Sequence, residues 1–144
     1  MNNFQLLELS GRTAFSHKLI KNGSSAITYT DHFCPVDILW SKNGKDYAGE
    51  IKCRMKYASS DLDSALIEEH KYNDVIQYAK ENERIPYYIM MFNDNIGYMW
   101  KLDDQDITWI TKDLPKTTYG SVDKISHSCG FLLFENGQKF KIRS

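Results

Sequence analysis

A tight turn at Asn43-Gly44 is the feature of this sequence that most constrains its fold. Both central residues of a type I′ turn take positive φ angles, which Asn and Gly tolerate, so the dipeptide predicts a β-hairpin. A two-residue loop also fixes the register: Lys42 faces Lys45, and counting outward places Asp37 opposite Glu50. Since hydrogen-bonded and non-hydrogen-bonded pairs alternate, 37/50 is a pair whose side chains approach most closely.

Two carboxylates that face each other across a strand pair repel each other, so this pairing has no structural benefit. A divalent cation gives it a chemical reason, because Mg²⁺ is commonly held by one or two carboxylates together with waters and phosphate. Lys52 lies two residues beyond Glu50 and therefore on the same face of the strand. The other face carries an apolar row that is expected to point to the core: Val36, Ile38, Trp40, Tyr47, Ile51, Cys53 and Met55. The pattern predicts one face for packing and one for chemistry.

Asp37, preceded by Pro35 and followed on the next strand by Glu50-Ile51-Lys52, resembles the signature of the PD-(D/E)xK nucleases. The resemblance implies an α/β fold with a mixed central β-sheet flanked by helices, the restriction-endonuclease-like core. Among members of that fold the chain is most similar to small endonucleases and Holliday-junction-resolvase-like proteins. These usually act on DNA as dimers, so the resemblance implies DNA as a partner and a homodimer.

The same resemblance implies a metal site and a catalytic lysine. Asp37 and Glu50 would hold Mg²⁺ or Mn²⁺ with the main-chain carbonyl of Ile51, and Lys52 would be the catalytic lysine. The first helix of such nucleases often supplies a glutamate, but residues 11–17 contain no carboxylate. Glu8, two helical turns before Phe15 on a similar helix face, is the candidate substitute. The alternative is that Glu8 is an ordinary solvated helix residue.

The apolar pattern predicts the order of the other elements. A helix is expected over about 3–21, with a break allowed at Ser10-Gly11, and a second helix over about 65–81 with Leu66 on its buried stripe. Predicted strands cover 26–30, 85–92, 96–102 and a short stretch at 107–111, and residues 113–120 are expected to form a loop. Asn136-Gly137 predicts a second tight hairpin.

Several polar residues are candidates for contacts with nucleic acid. In related nucleases the helix after the Glu-x-Lys strand borders the active site, which points to His70, Lys71 and Gln77. Lys112 and Lys116 belong to a basic cluster that either contacts phosphate or forms a solvated edge. The alternative for each helix residue is a solvated face. His70 has no cysteine or histidine partner at the spacing of a zinc motif.

Composition limits the class of protein. A length of 144 residues predicts a single domain over residues 1–144. The net charge of −1 argues against binding nucleic acid mainly by charge, but a metal nuclease draws part of its positive field from bound cations. Three cysteines without metal-ligand spacing predict free thiols in a reducing compartment, the cytoplasm. No stretch approaches the length of a membrane span, so no membrane association is expected.

The sequence favours a metal-dependent phosphodiesterase, an endonuclease that cleaves DNA rather than RNA with Asp37, Glu50 and Lys52. The alternative is a catalytically inactive module with the nuclease fold that binds nucleic acid or takes part in an assembly. In a third hypothesis the chain is an interaction protein, and the facing carboxylates are accidental.

Overall fold

A computed structural model of the chain describes residues 2–115 and 124–143. Within these residues lie two α-helices and nine β-strands, with short 3₁₀ turns between some of them. In chain order they are α1 (Asn3–Lys21), β1 (Ser25–Tyr29), β2 (Ile38–Lys42), β3 (Lys45–Arg54), β4 (Ser64–Glu68), α2 (Glu69–Glu81), β5 (Ile85–Phe92), β6 (Ile96–Lys101), β7 (Ile110–Pro115), β8 (Lys124–Leu133) and β9 (Gln138–Lys141). None of the described helices is long and apolar enough to cross a lipid bilayer.

Six strands form the main sheet in the order β1-β2-β3-β5-β6-β9. Strands β3 and β5 run parallel and the other neighbours run antiparallel, so the sheet is mixed. One apolar cluster joins α1 to the first face of this sheet, and a second joins α2 and the three-stranded sheet β4-β8-β7 to the other face. The predicted α/β class, a mixed central sheet flanked by helices, is confirmed.

The central hairpin is confirmed. Asn43 and Gly44 take φ angles of 51° and 76°, as a type I′ turn requires. Strands β2 and β3 pair in the predicted register from Lys42 opposite Lys45 to Ile38 opposite Gly49.

The regular ladder ends at Asp37, one pair earlier than expected. Ile38 is the strand partner of Gly49, yet the Asp37 N–H also points to the Gly49 carbonyl, at 2.8 Å. Two consecutive residues therefore face one residue of β3, which is a β-bulge. The bulge shifts the alternation of side chains by one residue, so Val36 lies in the α2-side cluster while Ile38 lies in the α1-side cluster. The prediction of a single apolar row containing both was wrong.

The face of β3 that carries Glu50 is also a packing face. Ala48, two residues before Glu50, is fully buried in the α2-side cluster together with Tyr88 and Met90 of β5. The expected division into a packing face and a chemistry face was therefore wrong. The reason is that β3 is a central strand of a sheet covered on both faces.

Helix α1 runs without a break through Ser10-Gly11. A Cβ atom built on Gly11 would lie 3.0 Å from Cys53 Sγ and 3.2 Å from Met91 Cε. The glycine thus permits a close approach of the helix to the sheet. Glu8 and Arg12, four residues apart on one helix face, come near β3 through this contact.

Helix α2 begins at Glu69, later than predicted, because residues 64–68 form strand β4. Leu66, expected on the buried stripe of the helix, pairs with Phe131 of β8 instead. The partner strand is far away in sequence, and such pairing overrides local helical periodicity.

The C-terminal part differs most from expectation. Asn136-Gly137 does not form a tight hairpin: residues 134–136 form a 3₁₀ turn, Gly137 has a φ of −104°, and β9 pairs with β6 rather than β8. A Cβ atom on Gly137 would lie 2.6 Å from Trp100 Nε1, so this glycine makes room for a ring. Strand β7 also occupies part of the predicted loop, because it runs to Pro115.

Candidate active site

Asp37 is fixed at the bulge by contacts from three directions. Its Oδ2 accepts a hydrogen bond from the Ile51 N–H at 2.8 Å, and its Oδ1 lies 3.5 Å from Arg12 Nη2. Its main-chain carbonyl accepts a hydrogen bond from the Thr30 N–H at 3.0 Å. The Asp37 carboxylate thus accepts the hydrogen bond from β3 that a main-chain carbonyl of β2 would accept in a regular ladder. Despite the bulge, the Asp37 side chain stays close to Glu50.

Glu50 is a buried carboxyl group, with 7% of its side chain exposed. The pKa of Glu50 is raised to about 8; burial is the largest cause, and the charge and hydrogen bond of the neighbouring Asp37 carboxyl contribute to the same rise. Lys71 Nζ lies 3.7 Å from Glu50 Oε1 and opposes this rise in pKa. Lys71 is 39% exposed, however, so water screens its charge and burial remains the larger effect.

Lys52 is half-buried on β3, paired in register with Met90 of β5. The charge of Lys52 lowers the pKa of Glu50, but the charge of Lys71 lowers it more. The lysine therefore lies within electrostatic reach of the carboxyl pair, on the strand position that alternation predicts.

Glu8 lies on the α1 side of the same region and is half-buried. Burial raises the pKa of the Cys53 thiol to about 11, and the charge of Glu8 is the next cause. The charges of Arg12, Asp37 and Lys52 act on the same thiol. Glu8 thus lies near Cys53 of β3, and its role as a metal ligand stays a prediction.

The other candidates lie in different places. Lys71 contacts Glu50, whereas His70 Nε2 lies 3.4 Å from Glu68 Oε2. Gln77 Nε2 donates a hydrogen bond to Glu81 Oε1 at 3.0 Å along the exposed face of α2. Lys112 is on β7 of the second sheet, with Nζ 5.4 Å from the Phe131 ring centroid. Lys116 lies outside the described residues.

Three residues near this region were missed by reasoning from sequence. Arg12 pairs with Asp37, and its spacing of four residues from Glu8 was the available signal. Glu68 and His127 lie beside His70, but no local spacing links His127 to either of them. His70 has no histidine at zinc-motif spacing along the chain, as predicted, but the fold brings His127 beside it.

The residues present fit a hard divalent cation. A buried carboxyl group in contact with a second carboxyl group is unfavourable when both are ionised, and a cation between them removes that cost. Carboxylate and main-chain carbonyl oxygens are the ligands that Mg²⁺ prefers. Asp37, Glu50 and the Ile51 carbonyl could hold such an ion.

Glu50→Gln should stabilise the protein in the presence of a chelator. Because the pKa of Glu50 is raised by folding, the folded state holds a proton that the unfolded state releases, and stability falls as pH rises from about 4.5 to about 8. The variant should lose this slope and gain at least about 1.4 kcal/mol at pH 8, the equivalent of one pKa unit. Urea unfolding at several pH values measures it, with Glu69→Gln, on the adjacent helix α2, as the control. A variant less stable than the parent at pH 8 would mean that ionised Glu50 is a structural partner.

Comparison with protein-family models and with curated protein sequences finds no match. Among solved structures, the chain is similar to Hjc, a Holliday junction resolvase from the archaeal hyperthermophile Archaeoglobus fulgidus. The two share 12% sequence identity and a TM-score of 0.59, and the alignment covers 91% of this chain and 92% of that chain. The similarity extends over nearly the whole length of both proteins. The expected resemblance to resolvase-like proteins is therefore confirmed as a resemblance of fold.

Proposed function

We propose that this protein is a divalent-metal-dependent nuclease that cleaves phosphodiester bonds. The observation that carries the proposal is the buried carboxyl group of Glu50, held against Asp37 at a β-bulge and next to Lys52. A structural protein gains nothing from this arrangement, because burial and the charge of Asp37 both make ionised Glu50 unfavourable. The similarity of fold to a Holliday junction resolvase supports it.

Each residue has a role in this proposal. Asp37, Glu50 and the Ile51 carbonyl hold Mg²⁺ or Mn²⁺, which would activate a water and neutralise charge on the scissile phosphate. Arg12 and the Ile51 N–H keep Asp37 in position. Lys52 orients the attacking water or stabilises charge that develops on the phosphate. Glu8 supplies an additional oxygen from α1.

DNA is the proposed substrate. Three basic residues bring positive charge to the surroundings of the carboxyl pair. The charges of Lys52 and Lys71 act on Glu50, and the charge of Arg54 acts on Tyr88, a neighbour of Glu50 on β5. Such a local concentration offers phosphate contacts although the net charge of the chain is −1. Because the protein of similar fold is a Holliday junction resolvase, branched DNA is the first form to test.

A homodimer is the proposed assembly. The side chains of Leu6, Leu7 and Leu9 in α1 are about half exposed, which is costly for a chain that stays monomeric. A second copy that covers them would place two sites on one DNA molecule. Sedimentation equilibrium of the purified protein measures the mass directly.

Incubation with labelled linear, branched and single-stranded DNA and RNA, with Mg²⁺ or Mn²⁺, tests the function. Cleavage of DNA that is lost in EDTA and in Asp37→Asn is the expected result. Binding of DNA without cleavage under every condition would support the alternative, an inactive module with the nuclease fold. Neither binding nor cleavage would favour the interaction protein with accidental carboxylates.

A further inference from the structure

We propose that Glu68, His70 and His127 form a second metal site, for Zn²⁺ or a similar transition metal, separate from the carboxyl pair of Asp37 and Glu50. Glu68 ends β4, His70 lies in the first turn of α2, and His127 lies on β8. One ligand atom from each residue lies within 4.8 Å of the other two. This proposal does not depend on the nuclease activity.

The topology explains how the three residues meet. In the β4–β8 pairing Glu68 faces Cys129, and His127 lies two residues further along β8 on the same sheet face. Glu68 is thus a diagonal neighbour of His127 across the strand pair. The chain turns directly from β4 into α2, which returns His70 to the same carboxylate.

The distances suit metal ligation better than hydrogen bonding. Glu68 Oε2 lies 3.4 Å from His70 Nε2, and Glu68 Oε1 lies 3.8 Å from His127 Nδ1. Protein hydrogen bonds of this kind span about 2.7–3.2 Å. Two ligands at about 2.0–2.2 Å from a tetrahedral Zn²⁺ are themselves about 3.4 Å apart. Small movements of the side chains would bring all three donors onto one ion.

His127 is the most buried of the three proposed ligands. Its side chain is only 17% exposed, and its Nε2 is buried without a hydrogen-bond partner among the described residues. The nitrogen that lies 3.8 Å from Glu68 Oε1 is Nδ1, on the other side of the ring from Nε2, so Nδ1 is the proposed ligand atom. The Lys112 side chain, which faces His127 across the β7–β8 pair, lies over the Phe131 ring, so its charge is directed to an aromatic face.

The donor set selects the class of metal. Imidazole nitrogens suit Zn²⁺, Cu²⁺, Fe²⁺ and Ni²⁺, whereas Mg²⁺ prefers oxygen. Two histidines and a carboxylate match the ligands of several zinc sites. The site would tie the start of α2 to the second sheet, and the same helix turn carries Lys71 against Glu50.

Zinc binding should be measured by calorimetry and by thermal unfolding in the Asp37→Asn background with excess Mg²⁺, which leaves the first site out of the measurement. Zn²⁺ at about a hundredfold excess over its Kd should raise Tm by roughly 5–10 °C. His70→Ala, His127→Ala and Glu68→Gln should each weaken binding at least about tenfold. His32→Ala, at an exposed histidine elsewhere, should bind like the parent.

His70 is mostly exposed, so His70→Ala should fold even if His127→Ala does not. Cys129→Ser serves as a further control, because this thiol faces Glu68 and would compete for zinc. Equal zinc binding by the parent and His70→Ala, or loss of binding in Cys129→Ser alone, would overturn the proposal. An unchanged Tm of the parent in saturating Zn²⁺ would also overturn it.

Discussion

Asp37→Asn should reduce DNA cleavage to background and weaken Mg²⁺ binding by more than about a hundredfold. Substituting a residue that only orients a metal ligand typically weakens metal binding by about ten- to a hundredfold, and the loss of a ligand should exceed that. The substitution removes a negative charge from the proposed metal site and leaves Glu50 as the remaining carboxylate on the hairpin. Calorimetric titration with Mg²⁺ and a single-turnover cleavage assay measure the two effects separately.

Asparagine is the sharper choice at this position because it keeps the local structure. Its Oδ1 can still accept the hydrogen bond from the Ile51 N–H, which alanine would leave unpaired at a cost of about 1–3 kcal/mol. The matched control is Asp46→Asn, at an exposed carboxylate on β3 that accepts a hydrogen bond from the Ser41 hydroxyl. Normal Mg²⁺ binding by Asp37→Asn would place the metal elsewhere and remove the basis for the proposed site.

The sequence predicted the part of the site that depends on local geometry. A two-residue turn at Asn43-Gly44 determines which residues of β2 and β3 face each other as far as Ile38 and Gly49. The predicted direct facing of Asp37 and Glu50 was wrong, because the bulge shifts Asp37 by one residue, although the two carboxyl groups remain close enough to interact. Strand alternation then places Lys52 within reach of the same carboxylate. These inferences need no partner outside one hairpin.

The parts that sequence did not predict depend on distant residues. Neither Asp37 nor Ile38, the two residues of the bulge, is a glycine or proline that would signal it. At the bulge, the Asp37 carboxylate accepts a hydrogen bond from the Ile51 N–H and pairs with Arg12 of α1. Strand β4 was assigned to a helix because its partner, β8, lies far along the chain. The contact of His127 with Glu68 follows only from that same strand pairing.

Burial of Glu50 also required the fold. A Glu-x-Lys segment on a strand is compatible with a solvated face, but β3 is central and the α2-side cluster covers that face. Burial then raises the pKa of Glu50 and makes a cation the natural partner of the carboxyl pair. The chemical character of the site therefore comes from the position of β3 between β2 and β5.

Lys52→Ala should abolish most cleavage while leaving Mg²⁺ binding largely intact. An ammonium group is not a ligand for a hard cation, so the oxygen donors of the site remain. Removing one preorganised group that stabilises charge in a transition state typically costs about a hundred- to a thousandfold in turnover. Loss of Lys52 also removes a charge that favours ionised Glu50, so Mg²⁺ binding should shift slightly to higher pH.

Two control variants separate this role from a general loss of positive charge. Lys56→Ala removes an exposed lysine just beyond β3, and Lys71→Ala removes the lysine that contacts Glu50 from α2. Lys56→Ala should cleave like the parent. Lys71→Ala should keep more activity than Lys52→Ala, because Lys71 is proposed to help bind DNA and is paired with Glu50, whereas Lys52 is the proposed catalytic lysine. If Lys52→Ala cleaved at the parent rate while Lys71→Ala did not, the catalytic lysine would be on α2, and the resemblance of Glu50-Ile51-Lys52 to the nuclease signature would not extend to its lysine.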